Sequence, residues 1–157
     1  MPAPDPAAVR RVAQEDPGRL ADALTFRLAA DIGAAQVLAL SPGDRGRDVL
    51  LARLAAVNKA SLADYRRLDT LFHLAIAELT GSSLLAAACA DARMRLNDLL
   101  NAIPVLRHNI AHTAAQHAAI VEAILAGDPE RARIAVAEHL DGTGALLRGF
   151  LAGPAPG

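Results

Sequence analysis

The spacing of apolar residues predicts helices along nearly the whole chain. Between residues 17 and 40, leucine, isoleucine and alanine recur every three or four positions, which places them on one face of a helix. The same period continues over residues 44–60, 61–79, 83–103, 105–126 and 129–151. Few segments alternate apolar and polar residues as a half-buried strand does. The pattern therefore predicts an all-α chain with about six helices.

Short segments rich in glycine, proline and serine separate these helices. "SPGD" at 41–44 and "TGSS" at 80–83 interrupt the apolar pattern, and Pro104 ends or kinks the fourth helix. "AGDPE" at 126–130 offers a glycine to end the fifth helix, an aspartate to cap the sixth and a proline for its first turn. Because the connections are short, we expect one antiparallel bundle of about six helices.

The two ends of the chain differ in composition from the bundle. Residues 1–16 are proline-rich and polar and predict a flexible arm, and "AGPAPG" at 152–157 predicts a flexible tail. The domain itself is expected over 17–151, and a chain of 157 residues fits a single domain. No internal repeat or second domain is visible.

Composition narrows the class of protein further. Hydrophobic residues make up 53% of the chain and aromatic residues 3%, so the core must consist mainly of leucine, alanine, isoleucine and valine. A net charge of −1 indicates neither a nucleic-acid-binding nor a lipid-binding face. The single cysteine, Cys89, suits a reducing compartment. Without a signal-peptide pattern or an uninterrupted apolar run of membrane-spanning length, we expect a cytoplasmic protein with no membrane contact.

Four polar residues lie on faces that are otherwise apolar. In "LDTLFHLA", Asp69 and His73 are four residues apart, so their side chains are neighbours on one helix face and can reach one metal ion. His117 and His139 lie within the apolar stripes of the fifth and sixth helices. Three imidazoles and a carboxylate suit zinc, nickel, iron or manganese. The same residues would also suit a hydrogen-bonded polar network in the core, and both interpretations stay open.

A second polar series predicts an acid-binding surface. Arg93, Asn97 and Asn101 follow one another at four-residue spacing on the largely apolar fourth helix, and Arg27 lies on the first. A guanidinium can bind a carboxylate through two parallel hydrogen bonds. We therefore predict that these residues bind a small carboxylic acid, and the alternative is that the arginines are surface charges.

Two segments carry a family resemblance. "LDTLFHLAIAELTGSSLL" and "AILAGDPERARIAVAEHL" resemble the FCD domain, the effector-binding C-terminal domain of FadR-type GntR transcription regulators, and the similarity extends over about residues 20–150. The resemblance implies a bundle of six or seven helices with a divalent metal on Asp69, His73, His117 and His139. It also implies a small organic acid effector and a homodimer that presents winged helix-turn-helix domains to DNA.

The resemblance is incomplete at the start of the chain. Too few residues precede the first predicted helix for a winged helix-turn-helix, so we expect either an effector-domain fragment or a stand-alone sensor. The turn at Gly81 also continues with Ser82, where many members have asparagine.

We expect a sensor with no catalytic residues. Two alternatives stay open: a metal-dependent hydrolase, since an open metal site can activate water, and a helical dimerisation module without metal. Against the hydrolase, no separate general base accompanies the four candidate ligands, and the Glu-x-x-His pairs of bundle di-metal enzymes are missing.

Overall fold

The computed structural model describes residues 5–101 and 105–152, and in these ranges the chain is helical with no strand. The all-α prediction is confirmed, and the helices in the described ranges number seven, within the predicted six to seven. In chain order they are α1 (Pro6–Glu15), α2 (Pro17–Leu40), α3 (Gly43–Asn58), α4 (Tyr65–Leu79), α5 (Ser83–Asn101), α6 (Arg107–Leu125) and α7 (Pro129–Ala152).

Helices end near the segments rich in glycine, proline and serine, as the sequence predicts, and one helix begins later than predicted. Gly127 has a φ of +68° at the end of α6, and the Asp128 carboxylate accepts a hydrogen bond from the backbone N–H of Arg131 at 3.0 Å, capping α7. The helix predicted over residues 61–79 begins later than expected. The Ser61 hydroxyl accepts from the backbone N–H of Asp64 at 3.2 Å within a turn, and α4 begins only at Tyr65.

The N-terminal segment differs from the flexible arm predicted for residues 1–16. Residues 6–15 form α1, because the Asp5 carboxylate caps the first turn by accepting from the N–H of Ala7 at 3.1 Å. The guanidinium of Arg10 also lies 4.4 Å from the ring centroid of Phe150 on α7 and donates from Nε to the Phe150 carbonyl at 3.1 Å. Residues 1–4, Pro104 and most of the predicted tail lie outside the described residues.

The core is centred on α2, which packs against α4, α5, α6 and α7. Its small residues Ala34 and Ala35 are almost fully buried and allow the neighbouring helices to approach closely. Around them pack Leu50 of α3, Phe72 of α4 and Ile120 of α6, all with no exposed surface. Each such side chain contributes roughly 1.5–3 kcal/mol relative to an exposed one. A smaller cluster of Leu96, Leu100 and Leu147 closes the other part of the bundle.

Helix α2 is also unusual in its hydropathy. Over Gly18–Leu40 its mean hydropathy is 1.4, so by length and composition it could cross a membrane, and it is the one such helix among the described residues. Core helices of bundles share this property, so the finding is weak evidence for a span. Within α2, buried Arg27 pairs with Asp31 at 3.0 Å. Arg27 and Asp31 interrupt its apolar residues, which is why the sequence pattern showed no uninterrupted run of membrane-spanning length.

Candidate metal centre

Three histidine rings meet inside the bundle. His73 comes from α4, His117 from α6 and His139 from α7, and all three are buried. One ring nitrogen of each lies within 4.8 Å of the corresponding nitrogens of the other two. We call these three residues the imidazole cluster. Because each ring belongs to a different helix, the cluster depends on the packing of all three helices.

The carboxylate of Asp69 completes the set. Asp69 lies one turn before His73 on α4, and its Oδ1 atom is 3.5 Å from His73 Nε2 and 3.2 Å from His117 Nε2. The other oxygen, Oδ2, accepts a hydrogen bond from Nη2 of buried Arg93. All four residues that the sequence predicted as metal ligands are therefore brought together, with one carboxylate oxygen facing the imidazoles and the other facing a guanidinium.

The buried setting favours protonation states that bind metals. Burial lowers the pKa of His73 to about 4, although the negative charge of Asp69 opposes this shift. Burial also lowers the pKa of His139 well below its usual value. Burial alone would raise the pKa of Asp69, but the nearby positive charge of Arg93 holds it well below its usual range. At neutral pH, His73 and His139 are thus neutral and Asp69 is ionised, as metal ligands must be.

Gln116 fixes the orientation of one imidazole. Its Oε1 atom lies 2.9 Å from Nδ1 of His139 and accepts a hydrogen bond from the Nδ1–H group. The other ring nitrogen of His139, Nε2, then carries the lone pair and lies 3.2 Å from Nε2 of His73. The Nε2 amide of Gln116 lies 3.2 Å from Nε2 of exposed His112. Sequence reasoning missed this pairing, although the i, i+4 spacing of His112 and Gln116 on α6 was an available signal.

The donor set fits a divalent transition metal. Nε2 of His117 is buried and has no hydrogen-bond partner among the described residues. Oδ1 of Asp69 lies 3.2 Å from this nitrogen, but the angle between the two groups does not allow a hydrogen bond. Leaving such a nitrogen unsatisfied costs about 1–3 kcal/mol. A metal ion between the imidazole cluster and Asp69 would accept that lone pair, and three nitrogens with one oxygen suit zinc, nickel, iron or manganese.

A small cavity borders the candidate metal centre. Its volume is about 60 Å³, and five helices contribute to its wall. Asp69 and His139 line it, so it reaches the candidate metal ligands. Three arginines also line it, and we call it the arginine cavity. The polar residues of its lining are Arg27, Tyr65, Arg66, Asp69, Arg93, Asn109, Thr113, His139 and Thr143.

The four predicted acid-binding residues separate into two groups. Arg27 and Arg93 are buried and line the arginine cavity. Asn97 and Asn101 instead line another groove, of about 390 Å³, together with Thr70 and other residues of α4. The reason is helical geometry: four residues exceed one turn of 3.6, so each i, i+4 step rotates the side chain by about 40° around the helix.

Several residues of the arginine cavity escaped the sequence prediction. Tyr65 and Arg66 begin α4, and Asn109 and Thr113 lie on the first half of α6. Tyr65 lies four residues before Asp69, and Asn109 and Thr113 lie eight and four residues before His117, so i, i+4 spacing was an available signal for these three. Burial and the negative charge of Asp69 raise the pKa of Tyr65 to about 12, so its hydroxyl is a neutral hydrogen-bond donor at physiological pH.

Comparison with protein families agrees with this geometry. The family model of the FCD domain matches residues 5–142, which include all four candidate ligands and both partner residues, Arg93 and Gln116. The chain belongs to the FCD domain family. This domain is the C-terminal, effector-binding domain of FadR-type GntR regulators, so the resemblance stated from the sequence is confirmed.

The family membership carries further information at a coarser level. FCD domains belong to regulatory proteins with a small-molecule effector and a DNA-binding partner domain, and FCD domains often bind metals. The match begins at Asp5, so α1 lies within the matched region, whereas the sequence pattern had placed the domain boundary at residue 17. No curated protein matches the chain.

Proposed function

We propose that this FCD domain is a metal-dependent sensor of a small carboxylic acid in a GntR/FadR-type transcription regulator. Asp69, His73, His117 and His139 would hold one divalent transition metal, of which zinc, nickel, iron and manganese are the candidates. The observation that carries the proposal is the convergence of three buried imidazoles and one ionised carboxylate, from three helices, around an unpartnered ring nitrogen.

The acid would bind in the arginine cavity. A bound metal would supply positive charge and open coordination positions next to Asp69 and His139. Arg93 and Arg27 would bind a carboxylate through charge-assisted hydrogen bonds, since both are buried and line the cavity. Asn97 and Asn101 were also predicted to bind the acid, and we assign them no contact because they line the other groove.

Arg93 connects the two parts of the site. It donates from Nη2 to Asp69 and from Nε to Thr70 Oγ1 at 3.2 Å, so it orients a candidate metal ligand while lining the acid cavity. An acid in the cavity would contact residues of α2, α4, α5, α6 and α7 at once. Binding would therefore stabilise one arrangement of these helices over others. We further propose that a cytoplasmic homodimer transmits this change to winged helix-turn-helix domains on DNA.

Metal content tests the first part of the proposal. Elemental mass spectrometry of the purified protein should give about one metal ion per chain, and the double variant His117→Ala, His139→Ala should lose it. His108→Ala is the matched control, because His108 lies on the same helix as His117 but is exposed. If the protein takes up no zinc, nickel, iron or manganese, the four residues form a polar network and the metal proposal fails.

Thermal shift with a panel of carboxylic acids tests the second part. An acid that binds the folded, metal-loaded protein raises its melting temperature with concentration. The effect should disappear in Arg93→Ala if Arg93 contacts the acid. An unchanged shift in that variant would remove Arg93 from the acid site while leaving the metal assignment intact.

A further inference from the structure

The arginine cavity concentrates positive charge. Arg27, Arg66 and Arg93 line it, whereas Asp69 is the one acidic residue among the described residues of its lining. Asp31, outside the lining, pairs with Arg27. Asp31 and Asp69 therefore compensate the charges of Arg27 and Arg93, and a divalent metal would add two further positive charges. Such a site needs more negative charge than a single carboxylate brings.

The positive charge of one buried guanidinium also changes the pKa of another. Burial and the nearby positive charge of Arg93 lower the pKa of Arg27, although Asp31 and Asp69 oppose the shift. Like charges this close are unfavourable in a buried site unless an anion lies near both. A ligand with a single charged group would offset only one of the two positive charges that the metal adds.

One donor of Arg93 is left for a ligand. Its Nη2 atom donates to Asp69 and its Nε atom to Thr70, but Nη1 is buried and has no hydrogen-bond partner among the residues that the structure describes. Arg93 itself is 5% exposed, so bulk water does not readily satisfy this donor. A second anionic group in the cavity would accept from Nη1 and remove the unsatisfied donor.

The size of the cavity limits what can carry two charges. A volume of about 60 Å³ has room for roughly four to six water molecules. Pockets for drug-sized ligands are larger, at about 300–1,000 Å³. The cavity therefore suits a short molecule and excludes a long chain or an aromatic ring with substituents.

We propose that the effector is a compact dianion, a dicarboxylate of about two to four carbons. One carboxylate binds at the metal end of the cavity, beside Asp69 and His139, and the other binds Nη1 of Arg93. This inference rests on the proposed function and narrows it, since it specifies the charge and the length of the acid.

Titration calorimetry on the metal-loaded, full-length chain tests charge and length separately. Malonate is the short dianion, acetoacetate has the same skeleton with a methyl ketone in place of one carboxylate, and adipate is a longer dianion. Malonate should bind about tenfold more tightly than either of the other two acids. Acetoacetate lacks the second negative charge, and adipate is too long for the cavity. Metal content is measured again after each titration, since dicarboxylates can also remove a metal.

Variants of residues that line the arginine cavity test whether these residues cause the preference for malonate over acetoacetate. Arg93→Lys keeps a charge near Asp69 but removes the planar fork, so the preference for malonate over acetoacetate should fall to near unity. Arg66→Gln, on a half-buried residue of the same cavity, provides a second test should the Arg93 variant not fold. Arg95→Gln is the matched control, since Arg95 lies on the same helix but is exposed and pairs with Asp91. It should keep the full preference.

The outcomes separate this inference from the proposed function. Equal affinities for malonate and acetoacetate would refute the proposal that the effector is a dianion, but the protein could still be a sensor of a carboxylic acid. Equal binding of malonate and adipate would overturn the size limit. If none of the acids bound the metal-loaded protein, the proposed function and this inference would both fail.

Discussion

The buried histidines should make the metal-free protein sensitive to mild acid. Burial lowers the pKa of His73 to about 4 in the folded chain, against 6.5 for an unperturbed histidine. A histidine with a lowered folded pKa binds more protons in the unfolded state, so its contribution is fully present above pH 6.5 and is lost as the pH falls towards 4. Between pH 8 and pH 5 this one residue should reduce the free energy of unfolding by about 2 kcal/mol.

Urea denaturation of the chelator-treated protein measures this loss. Unfolding curves at pH 8 and pH 5 give the two free energies, and the variant His73→Gln removes the titrating group. Its pH dependence should be smaller than that of the wild type by about 2 kcal/mol. The wild type should still retain a further acid sensitivity, because burial also lowers the pKa of His139.

His108→Gln serves as the control, because His108 is an exposed histidine. It should show the same loss between pH 8 and pH 5 as the wild type. If His73→Gln retained the full wild-type pH dependence, His73 would not be held neutral by burial. The protonation states assigned to the candidate metal centre would then be wrong.

Three further predictions follow from individual contacts. Gln116→Ala should weaken metal binding by about 10–100-fold in a chelator competition, because His139 loses the acceptor that fixes its ring. Phe72→Ala should lower the free energy of unfolding by about 3–5 kcal/mol in urea, since the ring is fully buried and packs on His73 and His117. Cys89 should react slowly with alkylating reagents at pH 8, and quickly only in urea, because burial raises its pKa to about 11. Fast reaction in the folded protein would contradict its burial.

The sequence alone was sufficient for most of the secondary structure. Apolar residues with a period near 3.6 are a local signal, and glycine, proline and aspartate at helix ends act on their own backbone. The bounds of α2 agree with the prediction, and Gly127 and Asp128 end α6 and begin α7 as expected. Helix α1 was missed because the prolines at 2, 4, 6 and 17 around it suggested a loop, although "PAAVRRVAQE" itself contains good helix formers, and because its contact with Phe150 is distant in sequence.

The four candidate ligands were also accessible from the sequence. Asp69 and His73 are neighbours through the geometry of a single helix. His117 and His139 each interrupt an apolar face, and a polar residue on a buried face must find a partner. That these faces meet at one point is a property of the packing, and the sequence pattern left a metal site and a polar network equally open.

The tertiary structure decided what surrounds the four residues. The contacts of Arg93 with Asp69 and of Gln116 with His139 join different helices, and their existence depends on how each helix is rotated and crossed against its neighbours. The packing also decides where the arginine cavity lies, so that Arg93 lines it while Asn97 and Asn101, each turned by about 40° more around α5, line another groove. The volume and the charge of that cavity likewise depend on residues from five different helices. Periodicity along one helix fixes which face is buried, but only the packing of helices fixes which buried groups meet.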